Sequence, residues 1–174
     1  KQVVALARPG GVWVEGELGR ISGKEGFVGP GAEGLKDTSE AFLTDPAEAA
    51  EFVRETGVDA LAVSVGTAHG SFRGKEGVRF PRLESISRAV PVPLVLHGAS
   101  GVPDAEIRQA LQYSVAKVNI DTELREAFHD AVLRHQETAP QHSVDPRGML
   151  GPAREATQAL VQKKAELLGS AGKF

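Results

Sequence analysis

The chain contains no cysteine, which excludes disulfide bonds and any zinc site built from thiolates. A metal ion in this protein would therefore need histidine, aspartate or glutamate as its ligands. Long hydrophobic runs are also missing. The longest, such as 60–65, fall far short of the roughly 20 residues that a membrane-spanning helix needs. Because the first residues also lack the pattern of a signal peptide, we expect a cytoplasmic protein with no membrane partner.

An excess of charge of one sign is missing as well. The 20 basic and 23 acidic side chains leave a formal charge of −3, and aromatic residues make up 5% of the chain. Nucleic-acid-binding proteins carry a basic surface or a platform of aromatic rings, so we expect no nucleic-acid partner. A length of 174 residues suits one folded domain that spans 1–174.

What the sequence does contain is a regular alternation of apolar runs and helical patterns. The apolar runs cover 12–18, 60–65, 93–96 and 115–120, and the helical patterns cover 46–56, 81–90, 104–113, 122–135 and 152–168. This order is typical of an α/β fold in which parallel strands are joined by right-handed crossovers. A glycine-rich stretch, 23–40, separates the first strand from the first helix. Its five glycines in 18 residues predict a mobile functional loop.

Two predicted strands are each followed by a His-Gly pair, His69-Gly70 after the second strand and His97-Gly98 after the third. In parallel α/β folds the functional side chains lie at the carboxyl ends of the strands. Imidazoles on neighbouring strand ends can converge on one ion, and zinc accepts such nitrogen ligands. Two separate, hydrogen-bonded structural histidines are the alternative, and spacing alone does not decide between the two interpretations.

The first predicted strand carries two carboxylates, Glu15 and Glu17. Residues two apart on a strand point to the same face, so both side chains should project together. Burying such a pair without a compensating cation is costly. A metal ion, a lysine or arginine, or exposure to solvent would each compensate.

The loops after the third and fourth strands, 98–101 and 119–122, combine small or polar residues with the start of a helix. Free backbone N–H groups in such loops can hold an anion such as a phosphate. Lys117 shares strand parity with Asn119 and could point inward as a Schiff-base lysine. Pairing of Lys117 with an acid is the ordinary alternative.

Taken together, these segments resemble the class II, metal-dependent fructose-1,6-bisphosphate and tagatose-1,6-bisphosphate aldolases. The resemblance is carried by five ordered segments, 14–19, 66–70, 96–101, 118–122 and 145–147. It implies a (β/α)8 TIM barrel of which this chain covers about strands five to eight, followed by a helical extension over 145–174. Nothing in the chain resembles the family's first four strands.

The resemblance also implies roles for individual residues. His69 and His97 resemble two of the family's three zinc ligands, and Glu17 resembles the carboxylate that holds zinc in a withdrawn position. Glu25, on the glycine-rich loop, resembles the acid that moves the substrate proton. Arg147 resembles the arginine that reaches the distal phosphate in a neighbouring subunit. A further set of residues resembles the family's dihydroxyacetone-phosphate site. These are Gly70, Gly98, Ala99, Ser100, Asn119, Ile120, Asp121 and Thr122.

The activity implied is the zinc-dependent, reversible cleavage of fructose 1,6-bisphosphate into dihydroxyacetone phosphate and glyceraldehyde 3-phosphate, in glycolysis and gluconeogenesis. Another divalent metal, a further monovalent cation and a homo-oligomer, either a dimer or a tetramer, are also compatible with the family. Alternatives are a tagatose-1,6-bisphosphate aldolase, a Schiff-base aldolase that uses Lys117, and a non-catalytic half-barrel that binds phosphate, metal or a partner chain.

One departure from the family pattern matters. The third zinc histidine and the catalytic aspartate beside it have no counterpart in this sequence, and residue 1 is not a methionine. A barrel of this type needs about 250 residues. We therefore expect that this chain is the C-terminal part of such an enzyme and that it is inactive alone.

Overall fold

The computed structural model of the chain describes residues 1–21, 40–70, 77–138 and 145–173. These residues form two compact units, Lys1–Ile120 and Asp121–Phe174. The predicted glycine-rich loop lies outside the described residues except for its last residue, Glu40, which begins a short 3-10 turn. None of the described helices is long and apolar enough to cross a membrane.

The described residues of the first unit form four strands and four α-helices that follow one another along the chain. In chain order these are α1 Gln2–Ala7, β1 Glu15–Leu18, α2 Pro46–Thr56, β2 Ala60–Val63, α3 Phe80–Ala89, β3 Leu94–Leu96, α4 Asp104–Ala110 and β4 Val115–Val118. All strand pairs are parallel and the strand order is β1-β2-β3-β4. The predicted α/β fold with parallel strands is confirmed, and the sheet is consistent with half of a (β/α)8 barrel.

The strands end level with one another. Leu18 of β1 pairs with Val63 of β2, Val63 pairs with Leu96 of β3, and Leu96 pairs with Val118 of β4. Segments that follow the strands therefore leave the sheet at one common edge. This register is what brings side chains from distant parts of the sequence to the same place.

The two central strands supply the core of the first unit. Leu61, Val63, Leu94 and Leu96 are completely buried, as is Leu83 of α3. Strands of a parallel sheet that are covered on both faces are apolar throughout, which explains why β2 and β3 read as continuous hydrophobic runs. Complete burial of each such side chain contributes roughly 2 kcal/mol to the free energy of unfolding.

Helix α2 begins and ends at the residues that the sequence predicts. The Asp45 side chain caps the helix by accepting hydrogen bonds from the N–H groups of Ala47 and Glu48, and Pro46 occupies the first turn. Gly57 ends the helix in the left-handed conformation that glycine adopts without strain. Both signals are local in sequence, so the helix bounds follow from the sequence alone.

Thr44 joins the ends of the first two strands from outside the sheet. Its buried hydroxyl donates to the carbonyl of Leu18 at 2.5 Å and accepts from the N–H of Ser64 at 2.9 Å. Two backbone groups beyond the β1–β2 ladder are thereby satisfied.

In the described residues of the second unit there are two helices, α5 Thr122–Thr138 and α6 Pro146–Leu167. Lys164 of α6 forms an ion pair with Glu123 of α5 at 2.7 Å, and both side chains are largely buried. The sequence predicts a helix from 152, but α6 begins six residues earlier. Asp145 caps it, Pro146 fills its first turn, and Pro152 lies inside the helix.

Two further differences concern the N-terminus of the chain. The sequence predicts a strand from residue 12, but β1 begins at Glu15, and both Val12 and Trp13 are exposed. The N–H of Val12 donates to the carbonyl of Ala7, which closes the turn after α1 instead of joining the sheet. Helix α1 was not predicted, because six residues offer too few helical positions for a periodic pattern.

Candidate functional site

The two histidines that follow β2 and β3 lie next to each other. The ring centroids of His69 and His97 are 6.5 Å apart, and the ring planes meet at 62°. Both residues are partly buried. The hydroxyl of Thr67 donates to the carbonyl of His97 at 2.7 Å and so links the segment after β2 to the segment after β3. The predicted convergence of the two strand ends is thus observed.

Gly98 allows the two histidine-bearing segments to approach this closely. Its φ angle is +63°, and a Cβ atom at this position would lie 2.7 Å from the backbone carbon and oxygen of Ala68. Any other residue would therefore meet both backbone strain and a clash with backbone atoms. The glycine is a packing requirement of the site whatever ligand the loop binds.

Both carboxylates of β1 face the ring of His97. The Glu15 Oε1 atom lies 2.9 Å from Nε2 of His97, and the Glu17 Oε2 atom lies 3.2 Å from Nδ1. The prediction that the two side chains share one face is confirmed. A Cβ atom on Gly16, between the two glutamates, would point to the opposite face of the sheet. It would lie there 2.6 Å from a ring carbon of Phe52.

Small side chains on β2 leave the path between the carboxylates and His97 open. Ala60 is the register partner of Glu15, and Ala62 is the register partner of Glu17. Register partners on neighbouring parallel strands point to the same face of the sheet. The two glutamates can therefore reach across β2, over methyl groups only, to a ring that follows β3.

Lys117 on β4 supplies the cation for the more buried of the two carboxylates. Its Nζ atom lies 2.7 Å from Glu15 Oε2. Burial alone would raise the pKa of Glu15. The hydrogen bonds with Lys117 and His97, together with the positive charge of Lys117, outweigh it and lower the pKa. The Glu17 side chain is 48% exposed, against 25% for Glu15. Two of the predicted compensations for this acid pair are therefore observed: Lys117 pairs with Glu15, and Glu17 is exposed to solvent.

The residues expected at a phosphate site lie partly in the first unit. Gly70, Gly98, Ala99 and Ser100 are buried, and Asn119 and Ile120 are half-buried directly after β4. The N–H of Asn119 donates to the carbonyl of Leu96 at 2.9 Å, which extends the β3–β4 pairing by one bond. Asn119 therefore leaves the sheet beside the segment that carries His97.

The remaining predicted residues belong to the second unit or lie outside the described residues. Asp121 and Thr122 begin α5, where the Asp121 carboxylate pairs with Arg125 at 2.7 Å. Arg147 lies in the first turn of α6 with its side chain 90% exposed, and it pairs with Asp145 at 2.7 Å. This pairing lowers the pKa of Asp145. Glu25 lies outside the described residues.

The donor atoms of this site fit a borderline divalent metal in kind but not in number. Two imidazoles and a carboxylate are ligands that zinc accepts. Among residues 1–21, 40–70, 77–138 and 145–173, however, no group of three histidine, aspartate or glutamate residues is arranged to hold a metal ion. A catalytic zinc site has three protein ligands and one open position, so the described part of the chain supplies less than a full set.

Two features of the site were missed or left open by sequence reasoning. Thr67 was not singled out, although a hydroxyl two residues before His69 is a visible signal. The partner of Lys117 was left open, because strand parity predicts a face and not a distance. The fold and the site together define a parallel α/β protein whose polar side chains gather at the carboxyl ends of neighbouring strands.

Comparison with known proteins narrows that class. The family model described as fructose-bisphosphate aldolase class-II matches residues 1–173. A fructose-bisphosphate aldolase of Thermus caldophilus is 41% identical over 196 aligned positions, which cover 99% of this chain and 62% of that protein. The D-tagatose-1,6-bisphosphate aldolase subunit GatY of Klebsiella oxytoca is 42% identical over 174 positions, covering 100% of this chain and 59% of that protein.

The structural comparison gives the same result. The crystal structure of the YdjI aldolase from Escherichia coli K12 superposes with a TM-score of 0.75 and 35% identity, covering 99% of this chain and 54% of that one. The chain belongs to the class II fructose-bisphosphate aldolase family. It spans about 60% of the length of the curated relatives named above.

Proposed function

We propose that this chain supplies part of the active site of a metal-dependent aldolase that reversibly cleaves fructose 1,6-bisphosphate into dihydroxyacetone phosphate and glyceraldehyde 3-phosphate. The observation that carries the proposal is the pair of imidazoles 6.5 Å apart, with Glu17 beside His97, in a chain of this family. Tagatose 1,6-bisphosphate is the alternative substrate. The two relatives that carry these two substrate names are 41% and 42% identical to the chain, so identity favours neither.

We propose His69 and His97 as metal ligands and Glu17 as the carboxylate that would hold the ion in a withdrawn position. Zinc is the first candidate because nitrogen and oxygen donors suit it, and another divalent ion would meet the same donors. Bound there, the ion would supply positive charge that stabilises the negative charge developing on the substrate as the C–C bond breaks. Since the described residues lack a full ligand set, we propose that the third histidine ligand comes from outside them.

The chain's own residues would position the substrate and move its proton. Backbone N–H groups of the buried loop 98–100 and the side chain of Asn119 are the proposed phosphate ligands, supported by their place directly after β3 and β4. Ser100 already makes a polar contact within the chain. Glu25 is the proposed proton donor and Arg147 the proposed ligand of the distal phosphate. Both assignments rest on the family resemblance of their segments.

A second candidate function is supported by the shortage of metal ligands in the described residues. A non-catalytic half-barrel would keep the phosphate loops and the paired histidines but would not assemble a complete metal site. The two candidates differ in activity when the strands that this chain does not match are supplied as a second polypeptide. A non-catalytic protein would stay inactive under that condition.

Cleavage assays with a complementing polypeptide separate the two candidates. The full chain is assayed with fructose and tagatose 1,6-bisphosphate, alone and after co-folding with the segment of the Thermus caldophilus relative that it does not match. We expect no cleavage by the chain alone and zinc-dependent cleavage by the pair, lost with EDTA or with His97→Ala. Cleavage that survives both treatments would contradict the metal-dependent mechanism. A folded, zinc-loaded pair without activity would favour the non-catalytic half-barrel.

Three expectations from the sequence stay predictions. A cytoplasmic location, a homo-oligomer and a monovalent cation at the site belong to the whole enzyme rather than to the described residues. Sedimentation of the full chain would test the oligomer, and a potassium titration of the co-folded pair would test the cation.

A further inference from the structure

Three side chains, from β1, from β4 and from the segment that follows β3, form a continuous series of contacts at the edge of the sheet. Lys117 of β4 contacts Glu15 of β1 at 2.7 Å, and Glu15 contacts Nε2 of His97 at 2.9 Å. Each oxygen of the Glu15 carboxylate is used once, Oε2 for the lysine and Oε1 for the ring. None of the functions proposed above assigns a role to Glu15 in this series of contacts.

The contact with Glu15 fixes which ring nitrogen of His97 is a donor. A neutral imidazole has one N–H group and one lone pair, and an ionised carboxylate can only accept a hydrogen bond. The contact of Nε2 with Glu15 is a hydrogen bond at 2.9 Å, and the contact of Nδ1 with Glu17 is longer, at 3.2 Å, so this geometry places the proton of a neutral His97 ring on Nε2. The lone pair is then on Nδ1, which faces Glu17, the carboxylate that is also proposed to hold the metal. A metal-binding histidine commonly has this arrangement, with its second nitrogen bonded to a carboxylate.

Lys117 holds the carboxylate of Glu15 in place beside the His97 ring. Because its ammonium group occupies Oε2, the carboxylate has two fixed contacts and little freedom to rotate away from the ring. The Glu17 carboxylate is held less firmly than that of Glu15. Its contact with Nδ1 is longer, at 3.2 Å, its side chain is more exposed, and among the described residues its ion pairing is with His97 alone. The two acids of β1 are therefore not equivalent.

We propose that Glu15, held by Lys117, is a positioning residue that keeps Nε2 of His97 protonated and presents Nδ1 to the metal. The metal part of this inference rests on the proposed function, which takes His97 as a ligand. The positioning part concerns the ring alone and holds without any metal bound. It assigns Glu15 and Lys117 a role that the sequence resemblance did not give them.

Nitrogen NMR of the full chain labelled with 15N-histidine tests the positioning part. Long-range 1H–15N spectra, recorded without metal at a pH where imidazole is neutral, distinguish the two tautomers. We expect His97 as a single Nε2–H tautomer, and a mixture of tautomers in Glu15→Ala and Lys117→Met. Lys117→Arg should restore the single tautomer because it keeps the cation. Lys163→Met, which removes an exposed cation of α6, is the matched control and should leave the His97 signals unchanged.

Addition of zinc to the same samples tests the metal part. We expect the Nδ1 signal of His97 to shift while the Nε2 proton is retained, and we expect Glu15→Ala to weaken zinc affinity by roughly 10- to 100-fold. A zinc shift at Nε2, an Nδ1–H tautomer in the unmodified chain, or a tautomer unaffected by both variants would overturn the inference. The absence of any zinc shift at His69 and His97 with the Nε2–H tautomer intact would instead count against the proposed function, and would leave Glu15 as a residue that positions a metal-free ring.

Discussion

Glu15 Oε1 and His97 Nε2 lie 2.9 Å apart although 82 residues separate them in sequence. The contact crosses β2, whose alanines at 60 and 62 leave room above the sheet. Parallel topology, level strand ends and small central side chains are all needed for it. The relationship links the fold to the site, because it ties the first strand of the sheet to a candidate metal ligand that follows the third.

Replacing Lys117 should affect the site far more than the stability of the fold. The Lys117 side chain is 56% exposed, and ion pairs of this exposure contribute at most about 1 kcal/mol. We therefore expect Lys117→Met to change the free energy of unfolding by less than about 1 kcal/mol, while its zinc affinity falls. Urea unfolding and zinc titration of the same protein measure both quantities. A large loss of stability with unchanged zinc affinity would show that the lysine is structural.

Replacing Thr44 should destabilise the first unit. Thr44→Val keeps the shape of the side chain but leaves the buried N–H of Ser64 and the carbonyl of Leu18 without their partner. An unsatisfied buried polar group costs about 2 kcal/mol, so we expect a loss of that size in urea unfolding. Thr44→Ser retains the hydroxyl and serves as the control. Equal stability of the two variants would mean that the hydroxyl bridge is unimportant.

Replacing Gly98 should be costly for a different reason, since a side chain there meets backbone atoms. Gly98→Ala places a Cβ atom 2.7 Å from the backbone of Ala68 at a φ of +63°. Strain and overpacking together predict a loss of roughly 3 kcal/mol. Gly10→Ala, in the exposed 3-10 turn after α1 where a Cβ atom would lie 3.7 Å from a methyl carbon of Val12, should be close to neutral. Thermal unfolding compares the two, and equal midpoints would contradict the close approach.

Removing one member of the buried ion pair in the second unit should destabilise that unit. Lys164→Met leaves the Glu123 carboxylate buried without its cation, which costs about 3 kcal/mol. Lys163→Met removes an exposed charge from the same helix and should have little effect. Adding Glu123→Gln to Lys164→Met should recover part of the loss. No recovery in the double variant would show that the loss arises from packing rather than from the lost ion pair with Lys164.

Most of the strands and helices could be predicted from the sequence, because the residue patterns that mark them are local. Helix α2 was predicted to the residue, since Asp45, Pro46 and Gly57 mark its ends. The shared face of Glu15 and Glu17 followed from strand parity. Periodicity does not reveal how far apart two side chains on one face lie, so the bond between Lys117 and Glu15 remained open until the register was known.

The two largest errors have physical causes as well. The amphipathic pattern predicts that the last helix begins at Pro152, and proline is common in first turns. The true start has the same signal six residues earlier, with Asp145 as its cap, and the helix continues through Pro152 without the hydrogen bond that its nitrogen cannot donate. Thr67 was missed because its partner, the carbonyl of His97, is a backbone group 30 residues away.

Zinc titration of the full chain and of its histidine variants tests the central claim, that His69 and His97 are two ligands of one ion. We predict one zinc ion bound per chain, weakened at least tenfold by His69→Ala and by His97→Ala, with His129→Ala on the exposed face of α5 as the unaffected control. Calorimetry measures both the affinity and the number of ions. Binding that is as tight in either single variant as in the unmodified chain would contradict the claim.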